Sequence, residues 1–260
     1  MNTLKQSDKA GSTYWDQCWQ NTNIPTTFDH TNQSLDNYPN LQFHQLFSTL
    51  IQKNKQLKIL EIGCANSIWP IYFHQYHNAE VFGLDYSEIG CEKSRKLFKH
   101  FNVPGTVYQE DLFNPPEELK NTFDMVFSFG VVEHFENTAE CLKACSAYLK
   151  PSGKLVTVIP NIPSIIGFLQ KMVDRDIYDI HVPLTKKKFA KAHHDAELNL
   201  QSCEHFMSIH LGIVVSKKFR KMLSVPTKLL WIAERYGIRL PRNRLTSPYI
   251  VAIANKECSS

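Results

Sequence analysis

The chain has 260 residues, 43% of them hydrophobic and 12% aromatic, and carries a formal net charge of +4. That apolar content is ample for a buried core and excludes wholesale disorder. The mildly basic balance is below that of dedicated nucleic-acid domains, and no uninterrupted apolar run approaches the ~18 residues that span a bilayer.

The first residues, MNTLKQSDKAGSTYWDQ, contain no apolar stretch able to act as a signal sequence. Seven cysteines, at positions 18, 64, 91, 141, 145, 203 and 258, form no CxxC pair and are odd in number. They are expected to be reduced thiols of a cytoplasmic protein, soluble or at most peripheral to a membrane. Cys141 and Cys145 lie one helical turn apart, but no histidine sits at finger-like spacing from them, so no metal is expected.

After a polar lead, residues 41–52 (LQFHQLFSTLIQ) place Leu41, Phe43, Leu46, Phe47, Leu50 and Ile51 at helical spacing. Short apolar runs then alternate with amphipathic segments. The runs are 57–62 (LKILEI), 79–84 (AEVFGL), 105–110 (GTVYQE), 123–129 (FDMVFSF) and 154–160 (KLVTVIP), with helix-like stretches between them. This alternation predicts an α/β fold, a parallel sheet covered by helices on both faces. Trp69-Pro70 opens a helix, since proline costs nothing in the first turn. Lys150-Pro151-Ser152-Gly153 is expected to close a helix and turn into a strand. Residues 161–195 look like an insertion of one or two helices, with His193-His194 on a solvated face. Strands are expected at 198–206 and 248–254. Between them, 212–245 holds nine Lys or Arg against one acid, Glu234, with apolar residues interleaved, among them Phe219, Leu223, Leu229 and Trp231. It is expected to be a lid or packing helix with a basic face, the alternative being a membrane-surface or partner contact.

In doubly wound sheets the ligand lies beyond the carboxyl ends of the strands. Those ends read Glu61-Ile62-Gly63, Leu84-Asp85-Tyr86-Ser87, Glu110-Asp111-Leu112 and Ser128-Phe129-Gly130. Asp85 lies 22 residues past Gly63, where a carboxylate can accept from both hydroxyls of an adenosine ribose. Asp111, at the next strand end, can accept from an adenine amine. Neither acid tolerates a nearby pyrophosphate, and the loop after Gly63, with Ala65 and Ser67 where glycines usually follow, departs from G-x-G-x-x-G, whose glycines allow close phosphate approach. The cofactor expected is an adenosine without phosphates.

The set LEIGC, VFGLDYS, QEDLF, FDMVFSFGVVEHF and LKPSGKLVTVIPN, in order and register over residues 55–160, resembles the class I S-adenosylmethionine-dependent methyltransferases. It looks closest to their quinone-biosynthesis and small-molecule branch. The resemblance implies a Rossmann-like, three-layer α/β/α fold with a seven-stranded doubly wound sheet whose last strand is antiparallel. It also implies a single methyltransferase domain over 56–256, insertions at 161–195 and 212–245, and a helical cap or lid over 1–55. The cofactor implied is S-adenosylmethionine. Gly63, Cys64 and Ala65 would surround its methionine portion and Glu61 would orient that loop. Asp85 would hold the ribose and Asp111 the adenine amine, with Tyr86, Leu112 and Ser128 beside them. Ala65 and Ser67 replace glycines usual in the family, and Ser67 can cap the helix that follows.

Methyl transfer is governed by positioning, and an oxygen or nitrogen acceptor gains from a base. His134, after Glu133 just past the fourth strand, is the first candidate base. Metal-binding relatives carry a glutamate three residues before this Glu-His pair, and Gly130 stands there, which argues against a metal-dependent mechanism. Tyr14 and Trp15 are expected as a lid over the cofactor, and His181, in DIHVP (179–183), as a second base candidate. Asn114-Pro115-Pro116-Glu117 resembles a motif of amino-methylating nucleic-acid enzymes, but it follows the wrong strand and ends in an acid. The expected activity is methylation of a small-molecule acceptor, most simply at oxygen, with no nucleic acid as partner. A silent cofactor-binding protein and a nicotinamide-dependent oxidoreductase are the competing expectations.

Overall fold

The computed structural model describes residues 8–26, 28–51, 56–208, 225, 228–238 and 241–257. Seven strands form one sheet in the order β3-β2-β1-β4-β5-β7-β6. They are β1 (Lys58–Ile62), β2 (Glu80–Asp85), β3 (Gly105–Gln109), β4 (Phe123–Phe129), β5 (Leu149–Pro160), β6 (Leu198–Phe206) and β7 (Tyr249–Lys256). The first five run parallel, and β7 lies antiparallel between β5 and β6. This is the sheet the resemblance implies. The chain leaves β1 toward β2 and β3, then returns to start β4 on the other side of β1. A crevice therefore opens at the carboxyl ends of β1 and β4, where Ile62 stands opposite Ser128.

Side chains alternate across the strands, as a pleated sheet buried on both faces requires. One face packs under α2 (Tyr38–Leu50), α3 (Trp69–His77) and α4 (Glu88–His100). Its centre is aromatic: the Phe47 ring meets Phe127 at 5.3 Å and 83°, and Phe73 at 4.8 Å and 80°. Edge-to-face pairs of this kind add about 0.5–1.5 kcal/mol each beyond area burial. The other face packs under α5 (Thr138–Ala147) and α8 (Lys186–Asp195), around Leu142, Tyr148 and Phe189, all at 0% exposure. A short helix α1 (Ser12–Gln20) crosses the open edge against α4, and α6 (Ile165–Val173) and α7 (Arg175–Asp179) follow β5.

The helix starts have local causes. Ser87 opens α4 by accepting from Gly90 N–H, Asn137 opens α5 by accepting from Glu140 N–H, and Ser164 and Thr185 do the same for α6 and α8. Pro70 sits in the first turn of α3, and Asn78 ends that helix in the left-handed conformation. The N-cap of α3 is Ile68 rather than Ser67, but Ser67 Oγ, one residue further out, still takes the Trp69 N–H at 3.2 Å.

Three sequence expectations are corrected. Lys150–Gly153 does not link a helix to a strand. Leu149 already pairs with Phe123, and the four residues bulge out before Met125 pairs with Lys154, with Ser152 at φ 61. Residues 161–195 contain three helices, and α8 is a layer helix packed on β6 and α5 rather than an insertion. His193 is not solvated. It is 0% exposed, its Nδ1–H donates to the Phe189 carbonyl at 2.8 Å, and its Nε2 pairs with Thr157 Oγ1 at 3.1 Å. Only His194 faces solvent. Of the basic segment 212–245, residues 212–224, 226–227 and 239–240 lie outside the described residues, as does Cys258. Its described part is helical over 228–235. Among the described residues no helix is long and apolar enough to cross a membrane.

Candidate functional site

A cavity of about 230 Å³ opens at the β1–β4 crevice. Its floor is the turn after β1. Gly63 and Cys64 both donate their N–H groups to the Leu84 carbonyl, at 2.8 and 3.3 Å, which ties the turn to the end of β2. Gly63 holds φ +73, and a Cβ there would meet Val131 Cγ2 at 2.3 Å. Both facts require glycine, and both keep the loop against the cavity.

Carboxylates dominate the polar lining, with Asp8, Glu61 and Asp85 all at the wall. Asp85 Oδ2 accepts from Ala65 N–H at 3.2 Å and Oδ1 from Ser87 N–H at 2.9 Å. Burial pushes its carboxyl up to about 6 against those hydrogen bonds. Each oxygen keeps lone-pair capacity for a ligand hydroxyl. Glu61 Oε1 accepts from Ser67 Oγ at 2.8 Å, while its buried Oε2 has no partner, and burial lifts the group to about 8. This wall suits hydroxyls and a cationic ligand, and it repels a pyrophosphate.

The roof comes from the N-terminal segment. Trp15 and Trp19, one turn apart on α1 with rings 6.0 Å apart, line the cavity. Ser87 Oγ donates to Asp16 at 2.5 Å and Tyr86 Oη to Asp8 at 2.6 Å, so both latches run to the end of β2. The Lys9 N–H donates to the His134 carbonyl at 2.9 Å.

Not every expected residue reaches this cavity. Asp111 does not line it: its carboxylate caps its own turn, accepting from Phe113 N–H at 3.0 Å and Asn114 Nδ2 at 3.0 Å, and the neighbour Leu112 takes the wall position. Cys64 turns its sulfur away, toward Ser94 and Gly83, and Ser128 is buried in the sheet with an unpartnered hydroxyl. Tyr14 faces a different cavity. Ala65, Tyr86, Trp15 and His134 stand at the wall, with Trp19, Trp69 and Asp8, which sequence reasoning passed over. Trp19 was findable, one helical turn beyond Trp15.

The order of strands and the acid-walled crevice fit the comparisons with known proteins. Residues 60–157 match the family model described as "Methyltransferase domain". Over those residues the chain is similar to a methyltransferase domain, and S-adenosylmethionine is the cofactor to which that similarity points. A demethylmenaquinone methyltransferase of Staphylococcus haemolyticus (strain JCSC1435) is 28% identical over 191 residues, 71% of this chain and 76% of that protein. A ubiquinone biosynthesis O-methyltransferase of Acinetobacter baumannii (strain AYE) is 27% identical over 156 residues, 55% of this chain and 64%, just under two thirds, of that protein. Among solved structures, geranyl diphosphate C-methyltransferase from Streptomyces coelicolor A3(2), with Mg2+, geranyl diphosphate and S-adenosyl-L-homocysteine, is similar in fold. Its TM-score is 0.65 at 12% identity, covering 93% of this chain and 96% of that one.

The chain has a second cavity of about 310 Å³ on the far side of His134. Trp15, Phe129, Gly130 and His134 line both spaces, so the two share a wall. The second is largely apolar, with Ile162, Ile166, Ile177, Ile180 and Tyr249, and its ionisable groups are Glu133, His134 and His181 beside Tyr14. His134 and His181, 47 residues apart in sequence, have ring centroids 4.6 Å apart. Burial lowers the pKa of both, that of His181 to about 4, so both rings are neutral near pH 7.

Proposed function

We propose that this chain is an S-adenosylmethionine-dependent methyltransferase that methylates a hydroxyl group on a small, largely apolar molecule. The observation that supports this most is the pair of cavities sharing a wall at His134, one lined by acids and the other by isoleucines and aromatic rings. When bound, S-adenosylmethionine supplies an electrophilic methyl group on a sulfonium. In this reading Asp85 binds the ribose hydroxyls, and the Gly63–Ala65 turn and Glu61 face the methionine portion. Trp15 and Trp19 close over the cofactor and exclude water. Asp111 acts by fixing the turn that carries Leu112 rather than by touching the adenine.

The chain's remaining task is to orient the acceptor and receive its proton. The neutral imidazoles of His134 and His181 are bases at the shared wall, which favours an acceptor that has a proton to lose, and hence oxygen. The names of two relatives point to quinone-like acceptors, and one of them, the ubiquinone biosynthesis O-methyltransferase, also to oxygen. Residues 56–256 would form one methyltransferase domain, with 1–55 contributing the α1 lid and α2. The exposed Leu229 and Ile238 beside Lys228 and Arg235 support a peripheral surface contact for 212–245.

Incubation of the full chain with methyl-labelled S-adenosylmethionine and a panel of apolar phenols and quinols tests the reading. Label should appear on a hydroxyl oxygen. Label on carbon alone would refute oxygen as the target, and cofactor binding without transfer to any acceptor would favour a silent binder.

A further inference from the structure

Three carboxylates meet at the first cavity, and among the described residues no lysine or arginine lines it. Glu61 and Asp85 stand on β1 and at the end of β2, whereas Asp8 arrives with the N-terminal segment and is pinned at the turn after β4. The Asp8 backbone forms a bridge with Phe135, and the next N–H, that of Lys9, donates to the His134 carbonyl at 2.9 Å. Both oxygens of the side chain are anchored as well. Oδ1 accepts from Ala10 N–H at 2.9 Å and Oδ2 from Tyr86 Oη at 2.6 Å. The charge is therefore fixed in place before a ligand arrives, the condition under which an electrostatic contact costs least to form.

The wall that holds Asp8 is the one the two cavities share. His134 lines both spaces, so a group that passes from the first to the second does so beside it. Burial lowers the His134 imidazole and the Asp8 carboxylate opposes that lowering, so the two side chains are near enough to interact. The Lys9 side chain is also felt by the His134 ring, but it lines neither cavity. A sulfonium carries a full positive charge and has no N–H or O–H to donate, so it is recognised through charge rather than through hydrogen bonds. Its demethylated counterpart is a neutral thioether.

We propose that Asp8 is a specificity-determining residue, a fixed carboxylate at the shared wall that favours cationic S-adenosylmethionine over neutral S-adenosylhomocysteine. This role rests on the methyltransferase reading and adds to it a means of favouring the fresh cofactor over the spent one. A charge pair gains up to about fivefold in affinity at an exposed surface, and roughly a thousandfold at about 4 Å in an effective dielectric near 20. Asp8 is half-buried, so an effect of about tenfold is expected.

The test is calorimetric titration of the full chain with S-adenosylmethionine and, separately, with S-adenosylhomocysteine, no acceptor being present. The readout is the ratio of the two affinities. In Asp8→Asn, which keeps an oxygen able to accept from Tyr86 Oη, S-adenosylmethionine affinity should fall about tenfold and S-adenosylhomocysteine affinity by less than about twofold. In Tyr86→Phe the latch is lost but the carboxylate stays, so both affinities should fall by the same factor and the ratio should hold. Equal losses for the two ligands in Asp8→Asn would make Asp8 a latch alone and overturn the role, as would an unchanged affinity for S-adenosylmethionine. Failure of the wild-type chain to bind either ligand would overturn the methyltransferase reading and this role with it.

Discussion

Gly63→Ala isolates the two demands that the structure makes of the turn after β1. The first is conformational, because an L-residue at φ +73 costs about 1–2 kcal/mol. The second is steric: the new methyl group would lie 2.3 Å from Val131 Cγ2, and a β-branched side chain has little rotamer freedom to yield. Overpacking of that kind costs about 1–3 kcal/mol. The sum predicts a loss of about 2–5 kcal/mol in urea unfolding, together with weaker S-adenosylhomocysteine binding, because the same turn forms the cavity floor. In the double variant Gly63→Ala/Val131→Ala the clash is gone and the conformational cost remains. Relative to Val131→Ala alone, adding Gly63→Ala should therefore cost only about 1–2 kcal/mol. A single variant with the wild-type unfolding midpoint would refute the argument, as would equal costs of Gly63→Ala in the two backgrounds.

Other consequences concern acid stability and the lid. His193 is fully buried and burial lowers it to about 4, against an ordinary value near 6.5. The unfolded chain therefore binds the proton first: the contribution is full above pH 6.5 and is lost as pH falls toward 4. The stake is roughly 3 kcal/mol. The stability gap between wild type and His193→Asn, by urea unfolding, should shrink by most of that amount between pH 7 and pH 4.5, and a constant gap would count against it. Asp16→Ala removes the Ser87–Asp16 latch at 2.5 Å. A hydrogen bond to a charged group is worth about 1.5–3 kcal/mol, so S-adenosylhomocysteine should dissociate at least about tenfold faster in stopped flow, and an unchanged rate would show that α1 is not a lid. Ser67→Ala leaves Glu61, now with no hydrogen bond to its buried carboxylate, still less willing to ionise. Cofactor affinity should fall more at pH 6 than at pH 9 if the ionised form is the one that binds, because above the raised pKa wild type and variant are both ionised, and equal losses would speak against that.

What the sequence disclosed follows the range of the interactions involved. The parallel strands were legible because a doubly buried strand is an uninterrupted apolar run, and the turn at the cavity floor because Gly63 and Asp85 sit at fixed distances from strand ends. The bulge at Lys150–Gly153 was not, since Pro-Ser-Gly signals a turn whether or not the ladder resumes beyond it. His193 was misjudged because the lysines of α8 set the apparent polarity of the helix, while the partner that buries the imidazole, Thr157, is 36 residues away. Asp111 looked like a ligand residue by position, but Asn114 three residues on supplies a local partner for its carboxylate. The meeting of Glu133 and His134 with His181 has no local signal. It arises when the stretch after α7 folds back on the turn after β4, which only the folded chain shows.

Calorimetric titration of the full chain with S-adenosylhomocysteine and with NAD, repeated on Asp85→Ala, tests the central claim most directly. The account predicts binding of S-adenosylhomocysteine but not NAD, and a loss of roughly 1.5–3 kcal/mol in the variant, the scale of a hydrogen bond to a charged group. Tight NAD binding with no response to S-adenosylhomocysteine, or an Asp85→Ala variant that binds S-adenosylhomocysteine as well as the wild type, would contradict it.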